Sequence, residues 1–487
     1  MVTTLLFLAH VIIVMVLGAK IIFRRLPVGT SLAWIFIVSV FPLFGFGLYM
    51  LIGDHRLGRK RLKHGDLVRA HYQNELRIDD GAVTDSHPEV ETSFYKIARV
   101  AGRETGFLIR SNNSVDILSD AEDMFAAIVN DIDSAETVCH LEFYIVHPEG
   151  RVLQVFRALI DAAARGVECK LIADHIGSKK FFRTEWPAKL REAGIVVIDS
   201  LPTGVIKTFF TRSDLRNHRK IIAIDRWISY CGSFNLADPD HFKVKAGVGK
   251  WVDVMLRIEG DASEALSVVF NTDFVIESSE QKIINDIPAL PPVTHVSRAP
   301  IALKKPIQII PSGPEMRNSV IFETLVSSIY AARRSVRITT PYFVPDESLL
   351  LALTNAAKRG INVQIIVPER VDSFLARHAS RSYYGELFEA GVSIHEFREG
   401  LLHAKIILID DEVCYLGTVN LDMRSFYLNL EITVALHSPE DCRAVDDILN
   451  RYMAGSTAVI PSEYLDENRS KFSIFRENLV RLAGPML

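Results

Sequence analysis

Apolar residues are unevenly distributed along this chain of 487 residues, and the densest stretches lie at its start. Residues 5–23 form an apolar run that only His10 and Lys20 interrupt, and residues 32–52 contain no charged residue. Each run is long enough to cross a hydrocarbon core as a helix, which takes about 20 residues. A cleaved signal peptide is the alternative for the first run, but its leading "MVTT" carries no positive charge and a second run follows at once. The pattern predicts two transmembrane helices.

Basic residues on either side of the second run predict its orientation. Arg24 and Arg25 lie between the two runs, whereas five basic residues lie between Arg56 and Lys63. The positive-inside rule then places the C-terminal side in the cytoplasm. The same cations would contact the headgroups of anionic lipids. We therefore expect residues 1–64 to form a membrane anchor that ends in a basic segment.

After residue 90 the pattern alternates between helices and strands, and it does so twice. The segment "AAARGVECKLI" at 162–172 matches "AAKRGINVQII" at 356–366, and each predicts a helix, a glycine stop and a buried strand. Residues 288–314 hold seven of the chain's 20 prolines, which predicts a linker. The chain is thus expected to contain two copies of one α/β domain, over residues 65–287 and 315–487.

Overall composition narrows the class of partner. The 55 basic and 59 acidic residues give a formal net charge of −4, whereas a protein that coats nucleic acid usually has a strong basic excess. The five cysteines are scattered and lack CxxC spacing, which predicts buried thiols instead of disulfides or a zinc site. No nucleic-acid partner is expected.

One motif, H-x-K-x4-D-x6-G-[ST]-x-N, occurs once in each predicted domain. Two occurrences in register with a duplication make coincidence negligible. The matching residues are His218, Lys220, Asp225, Ser233 and Asn235 in the first copy, and His403, Lys405, Asp410, Thr418 and Asn420 in the second. Residues i and i+2 of a strand share a face, so each histidine points the same way as its lysine. Each aspartate has the opposite parity, lies at a predicted turn and should stay apart from them.

The residue types of the motif favour phosphate chemistry. Lysine is a poor metal ligand, but it binds phosphate as a point charge, and asparagine and Ser/Thr side chains donate hydrogen bonds. Histidine can attack phosphorus or carry a proton. Two copies supply one histidine for each side of an in-line displacement. We expect a reaction without metal or cofactor.

The duplicated motif resembles that of the phospholipase D superfamily, and the stretches "TPYFVPDESLLLAL" and "LHAKIILIDDEVCYLGTVNLDMRSFYLNLEI" resemble bacterial cardiolipin synthases. The resemblance implies two tandem α/β sandwich domains that form a pseudo-dimer. It also implies phosphatidylglycerol and cardiolipin as lipid partners, a phosphatidyl-histidine intermediate, and a place in the bacterial inner membrane with the catalytic domains in the cytoplasm. No oligomeric state is predicted.

The resemblance also implies roles for individual residues. His218 and His403 would be nucleophile and general acid/base, with His218 favoured as the nucleophile. Lysine and asparagine of both motifs would hold the phosphate, and Asp225 and Asp410 would orient other site groups. Glu431 matches an acidic position that orients a motif histidine.

Three other functions are weighed against this one. A hydrolytic phospholipase D, or a transphosphatidylase with a different lipid, would use the same chemistry, but the predicted anchor favours a lipid acceptor. A nuclease of the same superfamily would not need the two spans. A non-catalytic scaffold would not need both motifs intact. For Asp253, a pocket acid and a surface residue are equally good interpretations. Tyr144 and Tyr342 could line a lipid pocket, but core packing is at least as good an interpretation.

Overall fold

A computed structural model describes residues 2–24, 28–53, 59–79, 93–202, 214–278, 287, 289–291, 305–316, 319–465, 469–482 and 484. The helices are α1 Val2–Phe23, α2 Val28–Val40, α3 Pro42–Ile52, α4 Arg59–Asp79, α5 Ser93–Thr105, α6 Ala121–Asp133, α7 Val152–Ala164, α8 Trp186–Glu192, α9 Ala262–Ser278, α10 Val320–Ala331, α11 Glu347–Lys358, α12 Phe374–Arg381, α13 Tyr384–Ala390, α14 Met423–Tyr427, α15 Pro439–Ala454, α16 Ser462–Leu465 and α17 Lys471–Arg481.

The strands of the first half are β1 Asn113–Leu118, β2 Val138–Phe143, β3 Glu168–Asp174, β4 Val196–Ser200, β5 Lys220–Ile224, β6 Ile228–Gly232, β7 Trp251–Val252 and β8 Met255–Gly260. Those of the second half are β9 Ile307–Ser312, β10 Ser335–Thr339, β11 Phe343–Val344, β12 Asn362–Pro368, β13 Ser393–Phe397, β14 Leu401–Leu402, β15 Ile406–Ile409, β16 Val413–Gly417, β17 Leu421–Asp422, β18 Glu431–Leu436 and β19 Ser456–Ala458. The chain divides into two compact units: Met1–Leu62 with Thr203–Leu215, and Lys63–Pro202 with Arg216–Leu487.

In the first unit α1, α2 and α3 pack around a small apolar cluster. The rings of Trp34 and Tyr49 meet edge to face at 5.2 Å, and Leu17, Ile21 and Val38 complete the cluster. Most of the other apolar side chains that the structure describes in these helices are exposed. The predicted basic segment runs from Arg56 to Lys63. Its first three residues lie outside the described residues, and the rest, from Arg59, forms the start of α4.

The expectation of one unbroken helix over residues 32–52 is wrong. The run divides into α2 and α3 at Phe41, because proline at the first position of α3 has no N–H to continue the α2 ladder. The chain turns sharply there, and a Cβ added to Gly45 would lie 2.8 Å from the Cα of Val38. Within the part of the chain that the structure describes, none of the helices combines the length and the apolar character needed to cross a membrane.

The second unit contains two sheets with the same topology. The first has seven strands in the order β1-β8-β6-β5-β2-β3-β4, and the second has eight in the order β19-β13-β12-β10-β15-β16-β18-β9. The second order, read backwards, repeats the first and adds β19. In the first sheet β2 runs parallel to β3 and antiparallel to β5, which follows His218. In the second sheet β10 runs parallel to β12 and antiparallel to β15, which follows His403. The α/β fold and its internal duplication therefore agree with the sequence pattern.

Apolar residues from both sheets fill the space between them. Ile221 and Leu256 of the first sheet share one buried cluster with Ile406, Leu416 and Ile432 of the second. The outer faces are covered by helices, with separate apolar clusters in each half. The cysteines are all buried and unpaired, as the sequence predicts.

Two predicted boundaries need correction. The linker predicted over 288–314, of which 288 and 292–304 lie outside the described residues, contains β9, an edge strand of the second sheet. Its six residues are buried, and an edge strand tolerates Pro311 because one side of it needs no ladder hydrogen bond. Helix α5, placed in the first domain by the prediction, packs Phe94 and Ala101 into the core of the second half.

Candidate active site

Two short backbone pairings between the halves position the motif histidines. Asn217 forms a parallel bridge with Leu430, and the N–H of His218 donates to the Leu430 carbonyl at 2.9 Å. In the mirrored arrangement β14 pairs with β7, and the N–H of His403 donates to the Val252 carbonyl at 2.8 Å. His218 therefore lies beside Glu431, the residue after Leu430, and His403 lies beside Asp253, the residue after Val252.

That neighbouring residue is a carboxylate in both cases. Nδ1 of His218 lies 2.8 Å from Oε2 of Glu431, which is fully buried. The hydroxyl of Thr418 donates to the same oxygen at 2.5 Å, and Thr418 Oγ1 accepts from the N–H of Ile432 at 2.9 Å. A histidine of the first half is thus oriented by a carboxylate and a hydroxyl of the second half.

The second histidine has the reciprocal arrangement. Nδ1 of His403 lies 2.6 Å from Oδ1 of Asp253, and the hydroxyl of Ser233 donates to that oxygen at 2.6 Å. Ser233 Oγ accepts from the N–H of Val254 at 3.0 Å. The preceding Gly232 is needed for this close packing, since a Cβ there would lie 2.3 Å from the carbonyl oxygen of Val254.

The pairing fixes the tautomer of both imidazoles. An ionised carboxylate only accepts hydrogen bonds, so Nδ1 carries the proton and Nε2 keeps its lone pair. Burial lowers the pKa of His218 and of His403 to about 4 against the pull of their carboxylates. Burial alone would raise the pKa of Glu431 and Asp253, but their histidine partners lower both. At neutral pH each imidazole is therefore neutral, and the lone pair of its Nε2 is not used by the carboxylate contact.

The two lysines are enclosed with the histidines. Lys220 Nζ donates to the carbonyl of His218 at 2.7 Å, and Lys405 Nζ donates to that of His403 at 2.6 Å. Burial lowers the pKa of Lys220 to about 8 and that of Lys405 to about 7. Each lysine also lowers the pKa of the opposite histidine, so the two motifs share one electrostatic site.

Aromatic rings and an amide complete the surroundings. The Tyr144 ring meets the His218 ring at 4.9 Å, and the Trp251 ring meets the His403 ring at 4.3 Å. Oδ1 of Asn235 accepts from the N–H of Ile145 at 3.2 Å, which leaves the buried Nδ2 without a partner among the described residues. That N–H₂ group can donate to a bound phosphate oxygen. Asn420 has the matching position in the repeat, but there the buried atom without a partner among the described residues is Oδ1.

The predicted Ser/Thr and aspartate residues are placed otherwise than expected. Ser233 and Thr418 direct their hydroxyls to carboxylates, so they position the histidines through these and are not free to bind phosphate. Asp225 and Asp410 stay apart from the histidines, as strand parity predicts, but they do not orient site groups. Each lies in a turn with positive φ, 52° and 55°, and accepts backbone N–H bonds at the start of the neighbouring strand.

Sequence reasoning did not select Trp251, and it left Asp253 undecided between a pocket acid and a surface residue; the structure buries Asp253 against His403. Asp253 follows the motif glycine by 21 residues, whereas Glu431 follows its own by 14, so the two acids do not align in the repeat. What they share is a position at the strand that pairs with the end of the motif hairpin: Glu431 begins β18, and Asp253 lies two residues before β8.

Lysine ionisation predicts the alkaline side of the pH profile. A lowered pKa means that a lysine loses its proton at lower pH, and a neutral lysine no longer attracts the phosphate. We expect kcat/KM, which reports free-enzyme groups, to fall as pH rises through about 7 to 8. We expect kcat to fall at a higher pH than kcat/KM does, because a bound phosphate stabilises the charged form of the lysines and so raises their pKa. A profile of kcat/KM that stays flat to about pH 9 would contradict this.

Replacement of Asp225 by asparagine should affect stability more than catalysis. Its carboxylate accepts from the N–H groups of Glu136, Thr137 and Val138 at 2.8–3.0 Å. Asparagine tolerates the positive φ but turns an N–H₂ group toward donors. We expect a loss of about 2–4 kcal/mol in the free energy of unfolding, with kcat per folded molecule nearly unchanged. Denaturant titration and kinetics on the same sample check both, and a large loss of kcat at full stability would contradict the structural role.

Comparison with known proteins gives close relatives over nearly the whole chain. The family profile "Cardiolipin synthase, PLD-like domain" matches residues 128–243 and 325–453. "Cardiolipin synthase A" of Proteus mirabilis (strain HI4320) is 37% identical over 473 residues, 96% of this chain and 95% of that protein. "Cardiolipin synthase A" of Yersinia pseudotuberculosis serotype IB (strain PB1/+) is 39% identical over 422 residues, 86% of this chain and 85% of that protein.

A solved structure shares the fold at much lower sequence identity. The phosphatidylserine synthase of Haemophilus influenzae Rd KW20 superposes with a TM-score of 0.58 at 12% identity, covering 80% of this chain and 100% of that chain.

Proposed function

The chain belongs to the cardiolipin synthase family of phospholipase D-like proteins and is a phosphatidyltransferase, and from this premise we propose that it joins two phosphatidylglycerol molecules into cardiolipin and releases glycerol. The observation that carries the proposal is the crossed pair of histidine–carboxylate contacts, His218 with Glu431 and His403 with Asp253. Two imidazoles that share one site with two lysines suit a phosphodiester that must be attacked by a neutral imidazole on one side and protonated by an imidazolium on the other.

In the first half-reaction Nε2 of His218 attacks the phosphorus of a phosphatidylglycerol. The bond from phosphorus to the glycerol oxygen breaks as the N–P bond forms, and Nε2–H of His403 gives its proton to that oxygen. Phosphate binding supplies the negative charge that raises the pKa of His403 and lets it carry this proton. Lys220 and Lys405 neutralise the non-bridging oxygens, and Nδ2 of Asn235 donates to one of them.

In the second half-reaction a hydroxyl of another phosphatidylglycerol resolves the phosphatidyl-histidine. His403, now neutral, accepts the hydroxyl proton while the oxygen attacks phosphorus and the N–P bond to His218 breaks. One phosphodiester replaces another, so the net free-energy change is small and the reaction is reversible.

We further propose that residues 5–23 and 32–52 lie in the bacterial inner membrane, with the catalytic unit on the cytoplasmic side. Support comes from the flanking charges and from apolar side chains that α1, α2 and α3 leave exposed. These are Leu8, Val11, Ile12, Met15, Val16, Ile22, Phe23, Val28, Leu32, Phe36, Val40, Leu43, Phe44 and Phe46. Outward apolar faces of this extent suit a hydrocarbon environment. Anchoring would keep the site at the depth of the lipid headgroups, where the acceptor hydroxyl is concentrated.

Product analysis on defined vesicles tests the proposal. Purified protein in vesicles of phosphatidylglycerol alone, with EDTA present, should produce cardiolipin and free glycerol in about equal amounts. Little phosphatidic acid is expected, because an oriented lipid hydroxyl has an effective molarity on the order of 10⁵ M or more and outcompetes water. Added glycerol should drive the reaction backwards.

Other product patterns would contradict specific parts of the proposal. Phosphatidic acid as the main product would make the protein a phospholipase D-type hydrolase. Cardiolipin that appears only with another donor lipid would overturn the assignment of phosphatidylglycerol as donor. Loss of activity in EDTA with rescue by a divalent ion would overturn charge neutralisation by the two lysines.

A further inference from the structure

The C-terminal helix α17 leaves most of its apolar side chains exposed, whereas Val480 packs against the core of the second half. Phe472, Phe475, Leu479 and Leu482 follow the spacing i, i+3, i+7, i+10, which places them on one face of a helix. Their exposed fractions are 73%, 63%, 53% and 78%. A helix on the surface of a globular protein normally buries such a face against the core. We call these four residues the outward stripe.

The opposite, inward face of α17 is fixed by polar contacts. Glu477 is only 4% exposed, and its two carboxylate oxygens accept from Arg469 Nη2 at 2.8 and 2.7 Å. The guanidinium group of Arg481 lies over the ring of Tyr383 at 4.3 Å. A buried carboxylate that turned outward would lose its partner, so these contacts oppose rotation of the helix that would bury the stripe.

Exposed apolar residues continue from α17 toward the candidate active site. Helix α12 packs beside α17, and its first two residues, Phe374 and Leu375, are 63% and 47% exposed. Asp372, two residues earlier, accepts from the Tyr342 hydroxyl at 2.6 Å and from Lys243 Nζ at 2.8 Å.

Lys243 connects this region to the catalytic histidine. Its ammonium group lies 5.4 Å from the centre of the Trp251 ring, which itself lies against His403. The next residue, Val244, is 63% exposed. Apolar side chains from both halves of the unit therefore lie beside the Lys243–Asp372 ion pair, close to His403.

We propose that the outward stripe, together with Phe374 and Leu375, is a membrane-docking surface that inserts into the headgroup region of an anionic phospholipid bilayer beside the active site. The helix combines this apolar face with two exposed cations, Lys471 and Arg476, whereas its single acid, Glu477, is buried against Arg469. Amphipathic helices with basic residues bind at the interface of anionic lipids in this way. The inference rests on the proposed lipid substrate and adds the surface through which the lipid reaches the site.

Docking is measured directly with a fluorophore on the stripe. The native cysteines are buried, so a Phe475→Cys variant of the full chain can be labelled selectively with a polarity-sensitive dye. In phosphatidylglycerol vesicles that contain lipids with spin labels on their acyl chains, the dye should be quenched. A matched Leu351→Cys label, on an exposed apolar residue of α11, should not be. This readout does not depend on activity.

Turnover tests the consequence for catalysis. The variant Phe472→Ser/Phe475→Ser/Leu479→Ser should lower turnover of phosphatidylglycerol in bilayers about tenfold. It should act within about twofold of wild type on a short-chain phosphatidylglycerol dispersed as monomers. The control Val100→Ser/Val196→Ser/Leu351→Ser removes three exposed apolar residues elsewhere on the unit and should change neither rate.

Of the following outcomes, the first three would overturn the docking surface and the last would overturn only the proposed function. An unquenched Phe475→Cys label would mean that the stripe does not reach lipid, and energy transfer between labelled copies without quenching would assign it to a second copy of the chain. Equal loss on bilayer and monomeric substrate would make the stripe a structural element. If wild-type protein makes no cardiolipin while the label is quenched, the proposed function fails and the docking surface stands.

Discussion

Alanine at His218 is expected to lower cardiolipin synthesis by at least about 10⁴-fold, because it removes the proposed nucleophile that forms the covalent phosphatidyl intermediate. Alanine at His403 should be nearly as damaging to turnover, since the leaving glycerol and the incoming hydroxyl would lack a proton carrier. The two variants should differ in one respect: with His403 replaced, some phosphatidyl-enzyme should still form slowly, whereas with His218 replaced none should form.

Trapping of labelled phosphatidylglycerol on the denatured enzyme separates the two roles. Both variants should lose stability, because each leaves a buried carboxylate, Glu431 or Asp253, without the imidazole that pairs with it. The trapped label is therefore compared per folded molecule. Label bound to His403 in the His218→Ala variant would reverse the assignment. The near-perfect correspondence of the two histidine environments makes this reversal a real alternative outcome of the measurement.

Replacement of the crossed carboxylates, Glu431→Gln and Asp253→Asn, is expected to lower kcat by about 10²–10⁴-fold with a smaller change in KM. An amide can donate to Nδ1, which moves the ring proton to Nε2 and removes the lone pair that attacks. It also removes the charge that stabilises a protonated imidazole, so the pKa of the paired histidine should fall further.

The two variants should differ in the steps that they slow if His218 is the nucleophile. Glu431→Gln should slow mainly the formation of the phosphatidyl-enzyme, whereas Asp253→Asn should slow both that step, in which glycerol leaves, and the transfer to the acceptor. Rapid-quench kinetics resolves the two steps, and Asp225→Asn serves as the control for loss of a buried carboxylate outside the site. If both variants keep wild-type kcat, the crossed pairs hold the two halves together but do not orient the histidines.

Much of the fold was predictable from local patterns. Helix and strand periodicity, with glycine stops, predicted the α/β alternation and its repetition, because these signals depend on residues close together in sequence. Strand parity separated Asp225 and Asp410 from the histidines for the same reason. The break between α2 and α3 at Phe41 also has a local signal, the proline that follows it. The prediction missed this signal because the apolar run continues through it.

The domain boundaries were less predictable, because two elements outside the predicted second domain, β9 and α5, pack into the second half. Seven prolines within 288–314 indicated a linker, yet Ile307–Ser312 completes the second sheet as an edge strand. Helix α5 lies far before the second repeat in sequence, but its apolar face fits the second core. Proline content reports a local preference, and the free energy of burying six strand residues outweighs it.

The sequence by itself determined the set of chemical groups. Two histidines, two lysines and two asparagines recur with the same spacing in both halves, and these residue types favour phosphate chemistry. What only the tertiary structure decided was their connection. Glu431 serves the histidine 213 residues before it and Asp253 the one 150 residues after it, and Ser233 and Thr418 serve those acids instead of the phosphate. The physical reason is that each carboxylate ends up beside its histidine through a backbone pairing between the two halves, and a contact made across an interface has no periodicity or fixed spacing in the chain.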